Sequence, residues 1–331
     1  MDRHLLKTIS DRVWQASHPQ VETRDSLTEN ALPESSRAWL QAAASQFAVD
    51  QPRQEEFART GVIKLTALHL VTICQSEVPV PLWLVAGWLQ KPQALHPESW
   101  QEALLRVNDV AMAMSGIAIS VDEHGNTLLL KRLAFDAVGD ADALAEVMND
   151  VDSLAASLVD LLLSLGQISP EPEEPVPPLP EWIAGWQQQT ARQSDALAQQ
   201  ALQTEWHHPL LQQTIGLLGL PTTRYIEDGC FGLLHFPERS IEIIACADQR
   251  HLSLSTPLNL TLSAKELLSV NSELQVLTNC AFALSGEKIC LVCRWDTTGL
   301  DAEAFAGWLA DFMTLCVAFD RRELTKEENH E

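Results

Sequence analysis

The chain has 331 residues, 46% of them hydrophobic and 20% charged, with a formal net charge of −23. That balance is globular, and the length suffices for two domains that each bury a core. Both halves are acidic, which repels phosphate backbones and anionic lipid, so the composition excludes nucleic acid and a membrane surface as partners.

Residues 1–35 read as an N-terminal extension, whose start, Met1-Asp2-Arg3-His4-Leu5-Leu6-Lys7, lacks the apolar run of a signal peptide. A first module is expected over 36–167. It opens with a helix at Ser36–Phe47, followed by β-rich runs at Gly61–Gln75 and Pro81–Leu89. The run Gly61–Gln75 fits one long strand or two short ones. A central amphipathic helix follows at Trp100–Met114, preceded by Ser99 and Glu102 at capping-box spacing. Ile117–Val121 and Thr127–Arg132 form a hairpin across Asp122–Asn126, and a closing helix starts at Asp140, a suitable N-cap.

Residues 168–204 read as a linker and connecting helix. Within it, Ser169–Pro180 holds six prolines and three glutamates, which favours extended polyproline II. A second module is expected over 205–324. Its first helix, Pro209–Leu218, is set by Pro209 at the start and by Gly219 and Pro221 beyond the end. Strands are expected at Gly229–Phe236, Ile241–Ala247 and His251–Ser255. Then come a helix at Lys265–Leu277 with Ser263 and Glu266 at capping-box spacing, a Cys280–Leu284/Ile289–Arg294 hairpin and a helix from Asp301. An acidic tail, 325–331, ends the chain. No stretch is expected to supply the ~20 apolar residues of a membrane span.

The second module repeats the first. Leu104-Leu105-Arg106-Val107-Asn108 matches Leu267-Leu268-Ser269-Val270-Asn271, Thr127–Arg132 matches Ile289–Arg294, and Asp140–Ala145 matches Asp301–Ala306. The offset drifts only at turns, as in a duplicated fold whose loops diverge faster than its packed elements. Helix, strands, helix, strand pair, helix is satisfied by an antiparallel sheet with helices on one face, which makes each module α+β.

Little in the sequence points to chemistry. It has no GxxxxGK[ST], GxGxxG, HExxH or GxSxG, and its glycines are spread singly. Cys290-x-x-Cys293 lies in an expected strand, where positions three apart face opposite ways. His207 and His208 are adjacent and do not share a helix face. Asp136, Asp140 and Asp142 read as a turn and helix start. No catalytic residue, metal site or cofactor is expected, and the seven cysteines fit reduced, buried thiols in a cytosolic protein. Arg132 and Arg294 end the same strand in each copy, where an ion pair with a helix carboxylate is expected.

The element order, the Leu-Leu-x-Val-Asn helix and the acidic closing helix resemble the class I type III secretion chaperones of the Tir-chaperone (CesT/SycE) family. The resemblance is clearest over Pro209–Leu324 and fainter over Ser36–Leu165. It implies a bacterial cytoplasmic protein without enzymatic activity that binds the extended N-terminal segment of a secreted effector and keeps it export-competent. A regulatory or structural adaptor of a secretion system on the same fold is the alternative. Members are single modules that homodimerise through the central helix. Two modules in one chain therefore imply a monomer packed as an intramolecular pseudo-dimer, with Leu104, Leu105, Val107, Ala111 and Met114 facing Leu267, Leu268, Val270, Leu274 and Leu277. Client contacts are expected on the first helix and early strands: Trp39, Leu40, Phe47, Leu68 and Leu70 in one copy, and Leu211, Ile215, Leu218, Phe231, Leu233 and Phe236 in the other. Sheet edges with unpaired backbone groups supply the means, by strand addition.

Overall fold

The computed structural model describes residues 32–65, 68–75, 82–92, 95–166, 207–219, 225–228, 231–237, 239–246 and 248–327. The first half of the chain carries α1 (Arg37–Ala44), α2 (Gln51–Thr60), β1 (Val62–Lys64), β2 (His69–Gln75), β3 (Leu82–Leu89), α3 (Pro97–Ser115), β4 (Ile117–Val121), β5 (Thr127–Arg132) and α4 (Ala141–Gly166). The second half carries α5 (His208–Leu217), β6 (Tyr225–Asp228), β7 (Phe231–His235), β8 (Ser240–Ala245), β9 (His251–Pro257), α6 (Ala264–Thr278), β10 (Cys280–Ser285), β11 (Lys288–Asp296) and α7 (Ala302–Glu327). The first sheet runs β1-β2-β3-β5-β4 and the second β6-β7-β8-β9-β11-β10. With β6 set aside, the two orders coincide strand for strand. The fold is α+β, in two tandem modules of antiparallel sheet with helices.

Local chemistry accounts for most of the element ends. Ser263 caps α6 from both sides: its hydroxyl accepts from Glu266 N–H, and the Glu266 carboxylate accepts from Ser263 N–H. Asn279, left-handed at φ 55, stops that helix. Asp140 and Asp301 accept from the first-turn N–H groups of α4 and α7. Two expectations need correction. Ser99 does not cap α3, because the helix begins at Pro97, whose fixed φ suits a first turn and places Ser99 inside it. The first helix, expected over Ser36–Phe47, ends at Ala44. Of the two readings open for Gly61–Gln75, the structure has the two short strands, β1 and β2.

Two elements carry too little apolar pattern to be read from sequence. α2 buries only Phe57 and Ala58. Its ends are nonetheless well marked, by Asp50 accepting from Arg53 N–H and by Gly61 at φ 72. No side chain fits at Gly61, where an added Cβ would lie 2.5 Å from Thr72 O. The other unread element is β6, four residues long. The Pro-rich linker, residues 1–31, Pro221 and 328–331 lie outside the described residues.

The chain divides into two compact units that cut across its halves. One comprises Met1–Ala111, Ser115–Ile168 and Ser263–Phe282; the other comprises Met112–Met114, Ser169–Leu262 and Ala283–Glu331. Helix α6 therefore belongs with the first sheet. In that first unit α4 covers the inner face of the sheet, and the close approach needs a glycine. An added Cβ at Gly87 would meet Leu68 at 2.4 Å and Val151 at 3.3 Å. Trp39 of α1 stands edge-on to Trp83, with ring centroids 5.1 Å apart. On the outer face Val71, Ile73, Leu82, Leu84, Ala86, Trp88, Leu128 and Leu130 form one buried cluster that takes in Val276 of α6.

In the second unit α5 packs on α7, where the Thr214 hydroxyl lies 3.4 Å from Ala302 O. Phe305, Leu309, Phe312 and Cys316 form the buried stripe of α7. Trp295 of β11 meets Phe305, Trp308 and Phe312 edge to face at 5.4–5.9 Å.

Candidate functional site

The residues that match best between the two copies converge in the first unit. Asn108 and Asn271 are both fully buried. Asn108 Oδ1 accepts from Ile119 N–H at 2.9 Å, and Asn271 Oδ1 accepts from Phe282 N–H at 2.7 Å. Asn108 Nδ2 donates to Phe282 O at 2.7 Å, while Asn271 Nδ2 donates to Ile119 O and to Phe282 O at 3.0 Å each. Nearby, the Ser120 hydroxyl donates to Leu268 O at 2.8 Å and Gln275 Nε2 to Gly116 O at 3.1 Å. The Leu-Leu-x-Val-Asn match carried this signal, since an Asn ends it in both copies.

Around this centre Leu104, Leu105, Ala111, Leu267, Leu268 and Leu274 are buried, and Val107 and Val270 are half-buried. Met114 and Leu277, expected from sequence to join them, stand 53% and 61% exposed. Apolar spacing marks a helix stripe but not where that stripe leaves its neighbour.

The outer face of the second sheet is of another kind. Phe231, Ile244, Ser253 and Arg294 lie in one cross-strand row, and Leu233, Glu242, Ser255 and Val292 in the next. Phe231 and Ile244 are 36% and 41% exposed, and Glu242 is exposed between strands. The sequence singled out Phe231 and Leu233 but missed Ile244 and Glu242, which strand register alone brings beside them. Of the other candidates, Leu40, Leu68, Leu70, Leu211 and Ile215 are buried, while Trp39, Phe47, Leu218 and Phe236 are half-buried.

A charged cluster edges this face within the second unit. Asp248 accepts from Arg250 N–H, His251 N–H, His251 Nδ1 and Arg294 Nη2, the last at 2.7 Å. Burial pushes its carboxyl up, but the hydrogen bonds from His251 and Arg250 prevail and hold it well below the usual carboxylate range. Asp296 is likewise raised by burial and lowered further, to about 2, by Arg250 and Thr298. Arg294 Nη1 also donates to Ala113 O at 3.2 Å, near the C-terminus of α3, where a cation is favoured. The expected pairing of Arg132 and Arg294 with helix carboxylates is thus corrected. Arg294 takes a turn carboxylate and a helix carbonyl, and Arg132 lies over the Phe135 ring at 5.5 Å. Burial lowers the pKa of Arg132, with Cys280 opposing.

Among the described residues no group of three or more His, Cys, Asp or Glu could hold a metal. Cys290 and Cys293 are buried in β11. One composition expectation is revised: Ala302–Asp320 has a mean hydropathy of 1.4 over 19 residues and is long and apolar enough to cross a membrane.

Residues 201–319 match the model of the Tir chaperone protein (CesT) family. No curated protein matches the chain. Two similar solved structures are a HopA1–SchA chaperone–effector complex and an ExsC–ExsE complex. The first is 10% identical, with a TM-score of 0.31 over 35% of this chain and 94% of that one. The second is 21% identical, with a TM-score of 0.31 over 36% and 93%. The family match spans α5 through most of α7, a whole module with its sheet and flanking helices. The likeness to the Tir chaperone protein (CesT) family thus lies in the second module, residues 201–319.

Proposed function

We propose that the chain is a cytoplasmic type III secretion chaperone without enzymatic activity, which binds the extended N-terminal segment of a secreted effector and keeps it export-competent. The observation that carries this is the family match over a complete module, residues 201–319. Two physical features support it. The outer face of β7 and β8 sets Phe231, Leu233 and Ile244 around Glu242, a surface for alternate apolar side chains of an extended segment with a basic residue between them. The net charge of −23 favours such a client over an acidic one. Client contacts are proposed at Phe231, Leu233 and Phe236, with Leu218, Trp39 and Phe47 beside the early strands. The chain is further proposed to act as a monomer whose two modules form an internal pseudo-dimer, which a short tether makes independent of concentration.

The test is co-expression with the N-terminal segments of secreted proteins, followed by limited proteolysis and titration calorimetry. A 1:1 complex that protects an otherwise cleaved segment, weakened at least ~10-fold by Phe231→Asp or Ile244→Asp, is expected. Binding only to a folded secretion-system component, with no segment protected, would identify an adaptor instead.

A further inference from the structure

We infer that Asn108 and Asn271 form a reciprocal lock that specifies which strands may meet at β4 and β10. They make the two halves of this chain take each other and deny both edges to any other strand. The inference is independent of what the chain binds.

The need for such a device follows from topology. β4 and β10 each end their sheet, so alternate residues present an unpaired N–H and C=O outward. At Ile119 and Phe282 these groups would be templates for another copy's strand or for a client. Instead, Ile119 N–H goes to Asn108 and Ile119 O to Asn271, while Phe282 N–H goes to Asn271 and Phe282 O to both. Each Asn accepts from the N–H eleven residues downstream in its own half and donates across to the other half. A carboxamide does both at once, from two different atoms. A carboxylate lacks the donor, and an aliphatic chain of equal size lacks both groups.

The arrangement also selects partners. Each Asn is fully buried, where an amide without partners costs several kcal/mol. A mispaired half, shifted in register or opposed by a strand with no Asn, would bury both carboxamides unsatisfied. This is the logic by which one buried Asn fixes register and partner number in coiled coils, at a cost in stability. A merely structural polar pair would give stability and no selection, and the two roles separate experimentally.

The measurement is light scattering of the full chain from roughly 1 to 100 μM, a range that spans typical weak association, together with residue-resolved hydrogen exchange. The wild-type chain is expected to keep one mass, with the Ile119 and Phe282 amides slowly exchanging. Asn108→Leu/Asn271→Leu is expected to keep its secondary structure and to unfold at a lower denaturant concentration, since the backbone groups of Ile119 and Phe282 lose their partners. Its mass should climb toward twofold with concentration, and those two amides should exchange at least ~100-fold faster. A double variant of constant mass, or wild-type amides that exchange as freely as those of an open edge, would overturn the inference. Should the double variant not fold, the single variants decide. Asn108→Leu must expose the Ile119 amide and Asn271→Leu the Phe282 amide, each without the other; equal or absent changes overturn it.

Discussion

Val71 and Glu242 occupy the same place in their sheets. Val71 pairs with Ala86, which pairs with Leu130; Glu242 pairs with Ser255, which pairs with Val292; and Leu130 and Val292 each stand two residues before an arginine, Arg132 at the end of β5 and Arg294 two residues short of the end of β11. One row over, Ile73, Leu84 and Arg132 answer to Ile244, Ser253 and Arg294. The inner faces stay apolar in both sheets, with Leu70 and Val85 answering to Ile241 and Leu254, all fully buried. The outer faces have parted. In the first sheet that face is a buried apolar cluster, and in the second Ser253 and Val292 stay buried on β9 and β11 while Phe231, Glu242 and Ile244 stand exposed on β7 and β8. A duplication keeps the face its own helix covers and is free to re-specify the other. Here it made one outer face core throughout and left the other open along β7 and β8.

The harshest challenge is to write the second sheet's residue into the first. Val71→Glu loses the burial of a valine, ~1.5 kcal/mol or more, and strands a carboxylate in an apolar cluster. A loss above ~4 kcal/mol is expected by urea denaturation, enough to unfold many domains. A loss under ~1 kcal/mol would mean that the first outer face is not sealed, and the contrast would fall.

Next in size is the arginine pair. Arg294→Ala removes charge-assisted bonds to Asp248 and to Ala113 O and is expected to cost ~1–3 kcal/mol. Arg132→Ala removes a stacking contact on Phe135 worth ~0.5–1 kcal/mol. Thermal denaturation of both variants in one buffer checks the order. Equal losses would erase the asymmetry at this row.

A pH titration sharpens the second unit alone. Burial, with His208 beside it, lowers the pKa of His207 to about 4 from an ordinary 6.5. The unfolded chain therefore takes up a proton that the folded chain refuses. The stabilisation is complete above pH 6.5 and is lost as pH falls from there toward 4, on the order of 1 kcal/mol per pH unit. His207→Gln should flatten that stretch of the stability profile.

How much of this the sequence disclosed follows from what each level encodes. Turn and cap chemistry is local, so the β4–β5 hairpin falls at its expected bounds and Ser263, Asp140 and Asp301 cap as expected. The element order was legible because packed spacing survives duplication. What stayed hidden depends on register. Leu40 and Leu70 share the apolar spacing of Phe231 and Leu233 but are buried, and no spacing tells which face of a sheet is covered. Ile244 and Glu242 entered the candidate surface only once β8 was laid against β7. Asn108 and Asn271 were in plain view as a repeated letter, but a buried amide in a helix declares its partners only when two edge strands arrive.

The smallest expected effect tests the contrast from the other side. Glu242→Val restores the first sheet's residue to the second. Because the site is exposed, denaturation should shift by no more than ~0.5 kcal/mol. The surface should change more than the stability does, since a valine there joins Phe231, Leu233 and Ile244 into one apolar patch. Dye fluorescence with ANS is expected to rise, and self-association to exceed that of the unaltered chain. A client segment carrying a basic residue at the facing position should bind more weakly, and more so at low ionic strength, where the lost attraction is least screened. A stability change as large as that of Val71→Glu would show that Glu242 is held by partners of its own, and that the second outer face is closed like the first.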